Sequence, residues 1–233
     1  MYRFVVGDIH GAYRSLMQVL DRAEFNPKRD SLIALGDYVD GWTETYDVIE
    51  YLRELPHFVG ILGNHDKWAL DWMDNPDKPL EDIWVYQGGA NTLRSYQYTI
   101  NRQHREFLHN CLPYYIVDTM LFVHGGYDPE KDITMQNIDY LLWDRDLFRY
   151  AFMYQQNKHI QNILGNISYD KVFIGHTPTE IVHTTKPLIQ HKVYGLDTGA
   201  GWSGVLTLMN IDTDEYWQSD TVSLLYPEEK GRM

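Results

Sequence analysis

Cysteine is almost missing from this chain. Its one thiol, Cys111 in HNCLPYY, excludes an internal disulfide and a metal knot built from cysteines. Long apolar runs are missing too: nothing approaches the ~20 residues that a membrane helix needs. The opening MYRFVVGD passes directly into a strand pattern, without the basic-then-apolar signature of an export signal. Positive charge is scarce, with 20 Lys and Arg against 33 Asp and Glu and a net charge of −13. That balance argues against stable nucleic-acid binding, except where acids hold a metal and are locally neutralised. Neither an internal repeat nor a Gly/Ser linker divides the sequence. Residues 1–233 are therefore expected to form a single cytoplasmic domain with no membrane partner.

What is present is an alternating pattern. YRFVV precedes a helical pattern over residues 13–24, with Leu16, Val19, Leu20 and Ala23 on one face. SLIAL, a second helix over about residues 44–54, HFVGIL and a helix from Lys67 continue a βαβαβα order. Residues 80–110 read as helix and loop. From Tyr114 onward short strands dominate: YYIV, MLFVHG, KVFIG, HKVYGL and SGVLTLMNI, with DTDEY turning a final hairpin. The expected class is α/β, with two mixed β-sheets packed as a sandwich and helices outside.

Five strand ends share one pattern. FVV ends in GDIHG (Asp8, His10), LIAL in GD (Asp37), VGIL in GNHD (Asn64, His65), MLFV in HGG (His124) and KVFI in GHT (His176). Any one of these is an ordinary polar turn. Five together, each beside a glycine, point to a common crevice at the strand ends, where α/β sheets bind ligands. Imidazole nitrogen with Asp and Asn oxygen suits Mn, Fe, Zn or Ni; an all-oxygen set would suit Mg or Ca.

The ordered set GDIHG, GDYVDG, GNHD, HGG and GHT resembles the calcineurin-like metallophosphoesterases of the phosphoprotein phosphatase superfamily, over residues 6–177. DTGAGWSG, residues 197–204, is similar to the C-terminal segment of bacterial and phage members. The resemblance implies a four-layer fold and a centre of two divalent metal ions, with Mn expected first. By that resemblance Asp8, His10 and Asp37 would hold one ion. Asp37, Asn64, His124 and His176 would hold the second, with Asp37 bridging. Such a pair acidifies a shared water and clamps phosphate oxygens, for direct in-line attack without a phosphoenzyme. His65 would be the general acid, with Asp40 orienting it and keeping it protonated. Asn64 would also face the substrate.

One position departs from the family. GDYVDRG is its usual reading, and here the Arg is replaced by Gly41, followed by Trp42. Arg145, in LLWDRD, is then the remaining phosphate clamp. Lys67 reads as solvent-facing, though it is a second candidate for the missing contact, and restoring Arg at Gly41 is expected to favour phosphomonoesters. Trp42 and Trp202 lie in segments near the cleft, where either could stack on a substrate. The leading reading is a phosphomonoesterase resembling bacteriophage-type Ser/Thr protein phosphatases, acting on a phosphorylated protein. A hydrolase of dinucleoside polyphosphates or a phosphodiesterase, acting on a small phosphoester or nucleotide, is the alternative. Symmetric diadenosine tetraphosphate hydrolases resemble the chain in EFNPKRDSLIALGD, but typically keep the Arg and lack the second Asp. A metal-bound scaffold that binds phosphorylated partners without catalysis is the third reading.

Overall fold

The computed structural model describes residues 1–232, the side chain of Gln156 excepted. Two five-stranded mixed sheets face each other. In the first, β1 (Arg3–Val6), β2 (Ser31–Ala34) and β3 (Phe58–Gly60) run parallel, and the sheet order is β10-β9-β1-β2-β3. Here β9 (Thr207–Asn210) is antiparallel to β1 and forms the closing hairpin with β10 (Tyr216–Gln218). The second sheet has the order β4-β5-β6-β8-β7. Its members are β4 (Tyr114–Val117), β5 (Met120–Val123), β6 (Lys171–Ile174), β7 (Leu188–Gln190) and β8 (Val193–Gly195), with β5, β6 and β8 parallel.

The period-two alternation of strands builds the layers. Along β1, Val5 enters the core between the sheets while Phe4 and Val6 face the outer helices. In β5, Met120 and Phe122 turn to the inter-sheet core, and Leu121 and Val123 turn outward. Phe122 of β5 and Phe173 of β6 stack with ring centroids 4.8 Å apart. Outside the first sheet lie α1 (Tyr13–Arg22), α2 (Thr45–Arg53), α3 (Asn64–Asp74), α4 (Asp82–Trp84), α5 (Ala90–Ser95), α6 (Arg102–His109) and the short α10 (Val222–Leu225). α1 follows its sequence pattern, burying Leu16, Val19 and Leu20 on one stripe.

The second half holds more helix than its sequence pattern indicated. Between β5 and β6 run α7 (Ile138–Trp143), α8 (Asp146–Met153) and α9 (Lys158–Gly165), which cover the second sheet. Each spans only two turns or so, too short for a helical period to stand out. They are separated by polar caps: the Asp144 carboxylate accepts from Asp146 N and Leu147 N, both at 3.1 Å, and starts α8. β7 also went unread. The five strand ends nevertheless meet at one edge of the sandwich, because β1, β2, β3, β5 and β6 are all parallel members of their sheets.

Candidate metal centre

The loops leaving β1 and β2 are stitched together before any side chain takes part. Ile9 N and His10 N both donate to Asp37 O, at 3.1 and 2.8 Å, and Trp42 N donates to His10 O at 2.9 Å. Asp66, on the first turn of α3, adds the loop after β3. Its carboxylate accepts from Asp37 N (2.6 Å), Tyr38 N (2.8 Å) and Gly63 N (2.9 Å). Across the sandwich, His176 N donates to Asp8 Oδ2 at 2.9 Å. The tightness shows in the backbone. His10, Asp37, Asp40 and His176 have φ of 50°, 52°, 67° and 61°, a region that costs a side-chain-bearing residue about 1–3 kcal/mol. At Gly63 a Cβ would overlap the Asp37 carboxylate, so only glycine fits.

Two groups of donor atoms result. Ligand atoms of Asp8, His10 and Asp37 lie within 4.8 Å of one another, and so do those of Asp37, His124 and His176. Asp37 belongs to both, and its two oxygens face opposite ways: Oδ2 is 3.5 Å from His10 Nε2, and Oδ1 is 3.4 Å from His124 Nε2. The tautomers are set from behind. His10 Nδ1 sits 3.0 Å from Val39 O and His124 Nδ1 sits 2.8 Å from Leu35 O. A carbonyl only accepts, so each Nδ1 carries a proton; burial lowers both imidazole pKa values, so each ring is neutral and its Nε2 offers a lone pair. His124 Nε2 and Asn64 Oδ1, 2.9 Å apart, are then two lone pairs facing each other. Asp8 Oδ1 and His176 Nε2 are buried with no hydrogen-bond partner among the described residues. A pair of divalent cations satisfies all of these atoms, so the residues fit a two-metal centre.

Beside this cluster His65 Nδ1 meets Asp40 Oδ2 at 2.6 Å, both side chains buried. Asp40 is itself held by Trp84 Nε1 (2.9 Å, on α4) and Thr92 Oγ1 (2.7 Å, on α5). The His65 ring packs edge-on to His10 and Trp68, at 5.0 and 4.9 Å. Burial lowers the His65 pKa well below its ordinary value and raises that of Asp40 to about 7. Asp40 thus fixes the ring, while desolvation opposes the charged form that the sequence reading assigned to His65.

Arg145 makes no ion pair among the described residues, yet its charge reaches Asp8, Asp37, Asp197 and His124. Lys67 points elsewhere, 2.8 Å from the Asp139 carboxylate. Trp42 is no stacking surface. It is buried, its Nε1 donates to Ala200 O at 2.7 Å, and it stacks on Tyr226. Three residues of the site escaped the sequence reading. Asp66 looked like part of GNHD with no role of its own. Asp197 is buried beside Asp8, at the start of the DTGAGWSG segment. Arg232 reaches His10 from the far end of the chain, with Nη1 3.2 Å from Nε2. Burial raises Asp37 and Asp197 to about 7 and Asp66 to about 8, and it raises Asp8 with help from Asp197 and Asp37.

Residues 1–197 match the family model for calcineurin-like phosphoesterases. The chain belongs to that family. This calcineurin-like phosphoesterase is therefore a hydrolase of phosphoester bonds, from a family that works with a binuclear metal centre. It is 28% identical to serine/threonine-protein phosphatase 1 of Salmonella typhimurium, over 89% of this chain and 91% of that protein. It is 25% identical to the symmetrical bis(5'-nucleosyl)-tetraphosphatase of Pseudomonas fluorescens, over 97% and 96% of the two chains. The crystal structure of a metallophosphoesterase from Sphaerobacter thermophilus has the same fold, with a TM-score of 0.61 at 16% identity over 95% of this chain and 89% of that one.

Two expectations follow for the phosphoesterase. Asp66→Ala strips the acceptor from three buried N–H groups and should cost about 3 kcal/mol or more in urea denaturation of the metal-free protein. A change under about 1 kcal/mol would show that the loops do not depend on it. The second expectation concerns pH. Carboxyls raised in the folded protein bind protons that the unfolded chain releases. Their contribution to stability is complete below about pH 4 and is lost as pH rises through about 7. The Tm of chelator-treated protein should fall from about pH 5 to 8, and Mn²⁺ should remove most of that fall. A metal-free Tm that rises over this range would contradict the burial argument.

Proposed function

We propose that this phosphoesterase is a phosphomonoesterase of the Ser/Thr protein phosphatase type, with His65 as the proton donor to the departing alkoxide. The His65–Asp40 pair carries this reading, because a seryl or threonyl oxygen is a poor leaving group unless it is protonated as it departs. Asp8, His10 and Asp37 would hold one cation, and Asp37, Asn64, His124 and His176 the other, with Mn²⁺ first and Fe, Zn or Ni also compatible. Bound there, the two ions polarise a phosphoryl oxygen and lower the pKa of a water. The chain's own residues do the rest. Because Nδ1 of His65 is tied to Asp40, only Nε2 is free to face a substrate oxygen, and it donates when the pair holds two protons, one shared between Nδ1 and the raised Asp40 carboxyl and one on Nε2. Trp84 and Thr92 hold the Asp40 carboxylate, so the imidazole is oriented before substrate arrives. Arg145 contributes positive charge for the phosphoryl oxygens, and Asn64 supplies an oxygen donor without adding negative charge.

The intact acid pair speaks against a non-catalytic scaffold, which has no leaving group to protonate. A nucleotide substrate has one observation in its favour. Trp143 stands 42% exposed, two positions before Arg145 and edge-on to the His176 ring at 5.7 Å, an aromatic beside the centre of the kind on which bases stack. Relatives named as phosphatase and as tetraphosphatase support the two readings respectively. Among the described residues no helix is long and apolar enough to cross a membrane. We place the enzyme in the cytoplasm, acting as one domain over residues 1–233.

With Mn²⁺, a phosphoseryl peptide should be turned over with kcat/KM at least about tenfold above diadenosine tetraphosphate or a phosphodiester. The reverse order would replace the protein phosphatase reading with the nucleotide one. His65→Asn should retain two metals per chain and lose roughly 10²–10⁴-fold in kcat on alkyl phosphates. It should lose much less on p-nitrophenyl phosphate, whose leaving group needs little protonation. Equal losses on both would assign His65 to charge stabilisation instead.

A further inference from the structure

The side of Gly41 that lacks an arginine is occupied from elsewhere in the chain. Arg232 Cγ comes within 3.4 Å of where a Cβ at Gly41 would stand and 3.2 Å of one at Gly88, and its Cδ within 3.1 Å of one at Gly201. Three glycines thus wall a slot for its stem. The segment that delivers it is fastened at several points. Tyr226 is buried, stacks on Trp42 and bonds Glu44 through its hydroxyl. Glu229 accepts from Thr43 Oγ1 at 2.8 Å, and Arg232 N donates to Gly201 O at 2.8 Å.

The guanidinium lies over the Trp202 ring, 4.2 Å from its centroid, and Nη2 donates to Gln87 Oε1 at 2.7 Å. Its other donors are not settled by protein acceptors. Nε is buried without a partner among the described residues, and Nη1 points at His10 Nε2. That nitrogen offers one lone pair, and a cation held by Asp8, His10 and Asp37 would take it and free Nη1. Among the described residues no carboxylate pairs with Arg232 within ion-pair distance, although its charge reaches Asp8, Asp37, Asp40 and Asp197. An arginine kept only for packing would be expected to sit on one of those acids. This one keeps two donors of its fork for a ligand that the protein does not supply.

We propose that Arg232 grips the phosphoryl group of the substrate, and that with Arg145 it favours a monoester dianion over a diester; this rests on the phosphoesterase reading above. The planar fork matches two oxygens of one phosphoryl group. Trp202 holds the plane in place, so its role is to support the guanidinium and not to stack on substrate. The same geometry revises the expectation for Gly41→Arg. Gly41 has φ 102°, and a Cβ there would sit 3.1 Å from His10 O. The position is strained for any side chain, and the space it would fill is taken.

The test is calorimetric titration of Mn²⁺-loaded parent, Arg232→Gln and Arg232→Lys with inorganic phosphate, with metal content measured on each. Arg232→Gln should keep two metals and bind phosphate about 10- to 100-fold more weakly, the size of a lost charge-assisted bond. Arg232→Lys should fall between, since it keeps the charge but not the fork. In parallel, Arg232→Gln should lower kcat/KM on p-nitrophenyl phosphate more than on bis-p-nitrophenyl phosphate. Unchanged phosphate affinity in Arg232→Gln overturns the assignment and leaves the functional reading standing. Loss of metal in Arg232→Gln overturns it in favour of a role in holding His10. A metal-loaded parent that neither binds phosphate nor cleaves either ester overturns the functional reading together with this one.

Discussion

Negative charge buried in one crevice is the constraint on which the rest of this structure depends. Asp8, Asp37, Asp40, Asp66 and Asp197 are all at most 2% exposed and crowd the edge where the two sheets meet. Carboxylates in such a place are tolerated only when each has partners. Asp66 is satisfied by three backbone N–H groups, Asp40 by Trp84, Thr92 and His65, and Asp197 by Gly199 N. Among the described residues Asp8 has only His176 N on one oxygen, and Asp37 has only His65 N on Oδ1 while both its oxygens face histidine lone pairs. The remaining charge is a demand for cations. The imidazoles of His10 and His124, kept neutral by burial with the proton held on Nδ1 by a carbonyl, are donors suited to meet it.

The architecture follows from that demand. Parallel strands are needed because only they deliver successive exit loops to the same edge, and two facing sheets are needed because donors must come from both sides. The left-handed conformations at His10, Asp37, Asp40 and His176 are the local cost of turning side chains inward in the loops two to six residues beyond a strand. The loop-to-loop bonds made by Asp37 O and by the Asp66 carboxylate offset that cost and lock the positions. Asp66 is no donor in either cluster. Its work is to set the backbone on which the Asp37 side chain stands.

Much of this could be read in advance. The strands that end in Gly-Asp, Gly-Asn-His-Asp, His-Gly-Gly and Gly-His are short, apolar and bounded by glycine, so both the sheet and the donors announce themselves. The two-sheet sandwich was legible for the same reason. The helices α7, α8 and α9 were not, since two turns separated by polar caps leave too little periodicity to register. Trp42 was misread because an aromatic beside a site looks the same in sequence whether it packs inward or faces a ligand; its stacking on Tyr226 is a contact across 184 residues. Asp197 was hidden because a single Asp before Thr-Gly resembles any turn.

Sequence alone determined which candidate donors stand at the strand ends and their order along the chain, since ligand chemistry depends on residue type and each strand end is a local event. It also determined that position 41 lacks an arginine. Only the tertiary structure decided how that lack is met. Arg232 enters the slot between Gly41, Gly88 and Gly201 because the segment from Tyr226 packs back over α1 and the loop after β2. No local pattern encodes such an approach. It arises from packing among segments far apart in the chain, and a guanidinium near the end of a sequence carries no mark of where it will be buried.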